Sequence, residues 1–216
     1  MNSKLRYITI LFFCTLLFSC KKSKKEEKEN SDATPMVMAD TTYSAVENKA
    51  KLVWTAYKFT DKVGVSGTFN NFELLLNNET SSLEKFLIGD KIVINTKSVN
   101  SGNEIRDDKI RTHFFNVMNT DTIWGEILDA AGGKGHLTLE LNKIKDTVDY
   151  MYSKKEDTLL INTTIDLTNW SGDNAISSLN RECYELHMGA DKISKLWPNF
   201  DINLKIPFKK NSNSNQ

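Results

Sequence analysis

The chain predicts an all-β domain of about eight antiparallel strands, closed as a barrel or packed as a sandwich. Three observations point there. Apolar residues recur at every second position over long stretches, turn-forming pairs separate those stretches, and only two short segments have helical character. Strict alternation marks a strand with one face in an apolar interior and the other in water.

Ahead of that domain, Lys4 and Arg6 precede an apolar run from Ile8 to Phe18 that ends on Leu17-Phe18-Ser19-Cys20. A run so short, with a basic start, is a secretion signal rather than a membrane span, so residues 1–19 are assigned to a signal peptide. The cysteine directly after Ser19 resembles a bacterial lipobox, although Phe18 is bulkier than that pattern carries. Cys20 would then be acylated and tie the protein to a membrane; a plain signal peptide with a chance cysteine is the alternative. Residues 20–42 read as a lipidated cysteine and a disordered tether, since a Lys-, Glu-, Ser- and Asn-rich segment cannot bury enough surface to offset its ordering entropy. Within it, Lys25-Glu26-Glu27 is either a solvated spacer or a surface-export signal.

The domain spans 43–210, and residues 211–216 form a disordered tail. Its strands run in order through Leu52-Trp54-Ala56, Val65-Gly67-Phe69, Ile92-Ile94 and Ile123-Gly125-Ile127. Next come Leu137-Leu139-Leu141, Val148-Tyr150-Tyr152, Leu159 to Leu167 and, clearest of all, Phe200-Ile202-Leu204-Ile206-Phe208. After Phe69 the apolar parity shifts to Phe72 and Leu74, which places a bulge at Asn70-Asn71. Asp61-Lys62, Asn77-Asn78, Gly132-Gly133 and Lys154 to Asp157 supply turns. Helical pieces fall near Asn103–Phe115 and Asp173–Tyr184.

Composition narrows the function. Removing Lys4 and Arg6 from 28 basic residues leaves 26 against 28 acidic ones, a net charge near −2 that argues against nucleic acid. Only Cys183 remains of the three cysteines once the signal is cleaved and Cys20 lipidated, so a disulfide framework is excluded. His113, His136 and His187 have no metal-ligand spacing. A Gly-x-Ser-x-Gly elbow is lacking, and no catalytic residue, metal or cofactor is assigned. Eight strands enclose an interior that side chains just fill, or that holds one slim ligand; small inward residues at Ala56, Gly67 and Gly125 would leave room.

Four segments carry a family resemblance. They are Val53 to Lys58 followed by Gly64 to Phe72 (with a Gly-x-Phe-x-x-Phe core), Ile94 to Phe115, Gly135 to Asn142, and Ser194 to Ile202. Together and in this order they resemble the YceI-like family, in its lipoprotein form. The resemblance covers nearly the whole domain, and Asp173–Gly189 is an elaboration outside it.

It implies an eight-stranded antiparallel lipocalin-like β-barrel with short helices, no enzymatic activity, and a polyisoprenoid or quinone-like lipid in a central tunnel. On that reading Trp54, Ala56, Phe69, Ile94, Phe114, Leu139, Tyr150, Ile161 and Ile202 line the tunnel. Arg106 either binds a head group at the mouth or, with Asp107, ties its loop to the rim, with Asp107 or Asp108 capping the helix. Two functions remain open. One is an envelope lipoprotein of a Gram-negative bacterium, anchored in the outer membrane on its periplasmic or outer side, that binds a long-chain lipid. The other is a filled barrel that acts as a structural or interaction module at the cell surface.

Overall fold

In a computed structural model, the described residues are 41–76 and 80–212. The signal peptide, Cys20, the tether up to Asp40, the Asn77-Asn78 turn and residues 213–216 lie outside them.

Among the described residues eleven strands form one antiparallel sheet: β1 (Thr41–Ala45), β2 (Lys51–Lys58), β3 (Val63–Phe69), β4 (Phe72–Leu75), β5 (Lys91–Asn95), β6 (Val99–Asn100), β7 (Thr122–Ile127), β8 (Lys134–Leu141), β9 (Ile144–Lys155), β10 (Thr158–Asp166) and β11 (Leu196–Ser212). Neighbours run β4-β5-β7-β8-β9-β10-β11-β2-β3-β6, and β1 pairs with the end of β11. The eight alternating segments all become strands. The number eleven has a local cause. β3 and β4 are one strand bent at Asn70-Asn71, and β5 and β6 are one strand interrupted by a 3-10 turn at Thr96–Ser98. Counting each bent strand once and setting aside β1 returns eight.

The bend also closes the barrel. Phe69 faces Val99 and Phe72 faces Ile94. Between them the ladder continues, with the Asn70 amide donating to the Ser98 carbonyl (2.9 Å) and the Asn95 amide to the Asn71 carbonyl (3.1 Å). The sheet therefore curls back on itself and hides both edges, which would otherwise invite pairing with another chain. β1 opens at Thr41, two residues before the expected domain start. Its partner β11 continues to Ser212, into the segment read as a tail, because Tyr43 packs edge-on against Phe208 with ring centroids 5.5 Å apart.

Helices close the ends. α1 (Leu83–Leu87) links β4 to β5, with Ser82 accepting the Lys85 amide as its N-cap. Its Phe86 and Leu87 have no exposed surface, a burial that contributes roughly 1.5–3 kcal/mol per side chain. At the opposite end lie α2 (Glu104–Ile110), which continues as a π-helical turn over Arg111–Phe115, and α3 (Asp173–Glu182). Asn103, not Asp107 or Asp108, caps α2: its side chain accepts the Arg106 amide at 3.0 Å. At this same end, fully buried Trp170 donates from its indole to the Leu139 carbonyl at 3.2 Å and pins the β10–α3 connection to the wall.

Candidate functional site

The alternating strands aim their apolar faces at a common axis, and these faces do not meet. They leave an internal cavity of about 200 Å³. Apolar cavities of roughly 150 Å³ already stay dry and take up small apolar molecules. Ala56, Ile202 and Leu139 point inward from β2, β11 and β8 and are still only half-buried, because their remaining surface faces this space.

The wall is aliphatic and aromatic almost throughout. Among the described residues Thr163 is the one polar side chain of mid-wall, while Asp90, Lys91 and Glu126 gather at the α1 end. Lys91 and Glu126 pair at 3.8 Å with about half and a third of their side chains exposed, so the contact stabilises little. The opposite end is built differently. Ile110 and Phe114 come from α2 and its π turn, Ile176 and Leu179 from α3, and Leu196 and Trp197 from the start of β11. All six are half-buried. The π turn adds one residue to the helix, with the Asn116 amide reaching the Arg111 carbonyl (3.0 Å). This rotates Phe114 into the cavity beside Phe115, ring centroids 5.1 Å apart.

Of the ten residues expected around a ligand, Trp54, Ala56, Phe69, Ile94, Phe114, Leu139, Ile161 and Ile202 line this cavity. Arg106 and Tyr150 do not. Arg106 donates from Nε to the Ser101 hydroxyl (2.7 Å) and from Nη2 to the Ser101 carbonyl (2.8 Å). Buried Asp107 accepts the Ser101 amide at 2.8 Å, so both members of the pair hold the loop before α2. Tyr150 lies on the inward side of β9, but its hydroxyl donates to the Asp129 carbonyl (2.8 Å) and its ring packs on Tyr152, filling the α1 end instead. Burial raises its pKa further above the ordinary tyrosine value. Gly67 also departs from expectation. It leaves no room, because the Trp54 indole lies across it.

The expected set leaves out Ile110, Ile176, Leu179, Leu196 and Trp197, which also line the cavity. A signal was present in the i, i+3 pair Ile176 and Leu179, beside fully buried Ala175. That pair makes the Asp173–Gly189 elaboration part of the cavity wall.

The reactive groups lie elsewhere. His136 contacts Asp129 at 2.8 Å on the exposed outer surface, and His113 lies 3.8 Å from Glu182. Among the described residues no group of three His, Cys, Asp or Glu converges to hold a metal ion. Cys183 is buried and its thiol pKa is pushed up by burial, the environment of an inert structural cysteine. His187 sits behind it, with Nδ1 2.9 Å from the Asn180 side-chain oxygen. Burial, then Lys58 and Lys109, push its pKa down to about 4. A depressed histidine stays neutral in the fold but ionises in the unfolded chain, so its contribution to stability is lost as pH falls from about 6.5 toward 4. Melting temperature should fall through that window and fall less in His187→Gln; identical slopes would mean His187 is not the group responsible.

A closed antiparallel meander around an apolar cavity, with its charged groups at one end, defines a lipocalin-like barrel. More specifically, the chain belongs to the YceI-like family, whose domain matches residues 40–208. No curated protein matches the chain. Among solved structures, a polyisoprenoid-binding domain from Saccharophagus degradans superposes with a TM-score of 0.53 at 14% identity, covering 79% of this chain and 98% of that one. BcnA from Burkholderia cenocepacia superposes with a TM-score of 0.50 at 13% identity, covering 75% and 97%.

Proposed function

We propose that the barrel binds one long-chain lipid, polyisoprenoid or quinone-like, in its interior, as a lipoprotein held at the envelope of a Gram-negative bacterium through acylated Cys20. The cavity carries this reading. A side-chain-filled barrel would present no such space, and the wall offers a ligand almost nothing but carbon. Binding a polyisoprenoid is what the Saccharophagus domain is described as doing, and its fold is shared.

The driving force is burial of apolar surface. Each methylene removed from water gains about 0.8 kcal/mol, so roughly a dozen gain about 10 kcal/mol, from which the cost of ordering the chain is subtracted. The half-buried α2/α3 end lets a chain longer than the cavity extend outward. The proposal includes no chemical step, only sequestration.

Cys20→Ser is expected to abolish palmitate labelling and free the protein from membranes. Native mass spectrometry of that variant, purified without detergent and followed by organic extraction, should show one long-chain adduct per chain. A clean apo mass, with no uptake of added polyprenyl or quinone lipids, would overturn the carrier reading. Labelling that survives the substitution would overturn the anchor.

A further inference from the structure

The cavity has two unlike ends, and the difference bears on the ligand's head. At the α1 end, two carboxylate residues, Asp90 and Glu126, line the space with one lysine, Lys91. At the other end, the cavity-lining Trp197 carries two ammonium groups on its ring. Lys195 Nζ lies 3.6 Å from the ring centroid and Lys62 Nζ 5.3 Å from it. The ring itself is fixed, because its indole nitrogen donates to the Phe59 carbonyl at 2.7 Å.

Trp197 stands where the interior meets the outer wall. Lys62 also lies 4.9 Å from the Tyr57 ring centroid, and the Tyr57 hydroxyl donates to Asp201 on the outward face of β11. Neither Lys62 nor Lys195 pairs with a carboxylate among the described residues. Lys58 adds a third ammonium nearby, over Phe59 at 4.5 Å and donating to the Leu186 carbonyl at 3.0 Å. Two acids of the same elements are engaged otherwise. Asp201 accepts from Tyr57 and Thr164, and Asp191 from the Thr60 hydroxyl and the Ile193 amide; Asp61 lies in the turn that carries Lys62.

We propose that the lipid carries an anionic head, a phosphate or carboxylate, that Lys62 and Lys195 bind at the Trp197 rim while the chain lies in the cavity. Ammonium groups already held against an aromatic ring lose little freedom when they accept an anion, and charge-assisted hydrogen bonds are the stronger kind. At the α1 end Asp90 and Glu126 leave one carboxylate in excess of Lys91, which disfavours the same head, so the lipid enters in one direction. A neutral quinone or alcohol gains nothing from the two lysines. This inference rests on the carrier reading and names the class of amphiphile it selects.

The test compares a polyprenyl phosphate with the polyprenol of equal chain length, titrated into the Cys20→Ser protein at low and at high salt. The phosphate should bind about tenfold tighter or more at low salt, an advantage that salt shrinks. In Lys62→Gln/Lys195→Gln the ratio should fall to near one with polyprenol affinity unchanged. Equal affinities in the wild type, or a preference that survives the double substitution, would overturn the head-group site alone. Displacement of the polyprenyl phosphate by millimolar inorganic phosphate would assign the lysines to a free anion and overturn it too. If neither lipid binds, the carrier reading falls together with this one.

Discussion

Ala56→Phe is expected to weaken lipid uptake roughly fifty-fold while leaving the protein folded. Ala56 lines the cavity from the middle of β2, opposite Phe200 of β11 and Val65 of β3, so a larger side chain grows into empty space rather than into a packed core. A phenyl ring there displaces roughly three methylenes of ligand. At about 0.8 kcal/mol each the loss is about 2.4 kcal/mol, and every 1.4 kcal/mol is tenfold. The ring's own burial gains about 1.5–3 kcal/mol, which offsets the strain of overpacking, about 1–3 kcal/mol. Melting temperature should therefore stay close to that of the wild type. This separates the variant from Leu139→Arg or Ile161→Arg, in which a buried charge threatens the fold as well as the ligand. Binding isotherms and a melting curve on the same sample decide it. Full uptake by a folded Ala56→Phe protein would place the lipid somewhere other than the cavity.

The barrel was legible because its walls are simple. β10 and the Phe200–Phe208 run of β11 alternate without a break, and their pairing sets Ile161 opposite Leu204 and Ile165 opposite Phe200. The parity shift after Phe69 revealed the bend, though not that this bend closes the sheet: that takes the pairing of Phe69 with Val99, thirty positions away. Pattern showed which way a side chain points, not what it meets. Gly67 reads as an absence of bulk, yet the Trp54 indole opposite it occupies the gap. Tyr150 keeps the inward parity but is drawn to the α1 end by the Asp129 carbonyl. Trp197 was left out of the expected lining for a related reason. β11 shifts register between Leu196 and Phe200, so alternation counted back from Phe200 gives no account of a tryptophan at the rim. Its lysines come from the turn after β2 and from the residues before β11, which only the closed barrel brings together.

Gly67→Ala is expected to destabilise the protein by about 2–3 kcal/mol, a large effect for one methyl group. A Cβ at this position would stand 2.2 Å from Trp54 Cζ2 and 2.6 Å from the Asn100 carbonyl oxygen. The indole cannot simply turn aside, since its Nε1 donates to the Thr68 carbonyl at 3.1 Å. The carbonyl cannot yield either without opening the two-pair contact of β3 with β6, on which closure of the barrel depends. For a domain of this length each kcal/mol corresponds to about 2–4 °C, so melting should drop by roughly 4–12 °C. Trp54→Leu in the same chain should recover part of that loss, because it relieves one of the two clashes, and a double-mutant cycle would show strong non-additivity. Strict additivity would mean that Trp54 does not occupy the space above Gly67. The same strain has a functional consequence. The free volume beside Trp54 is the cavity, so an indole displaced from Gly67 moves into the space left for the lipid, and Gly67→Ala should lose uptake even at temperatures where it remains folded.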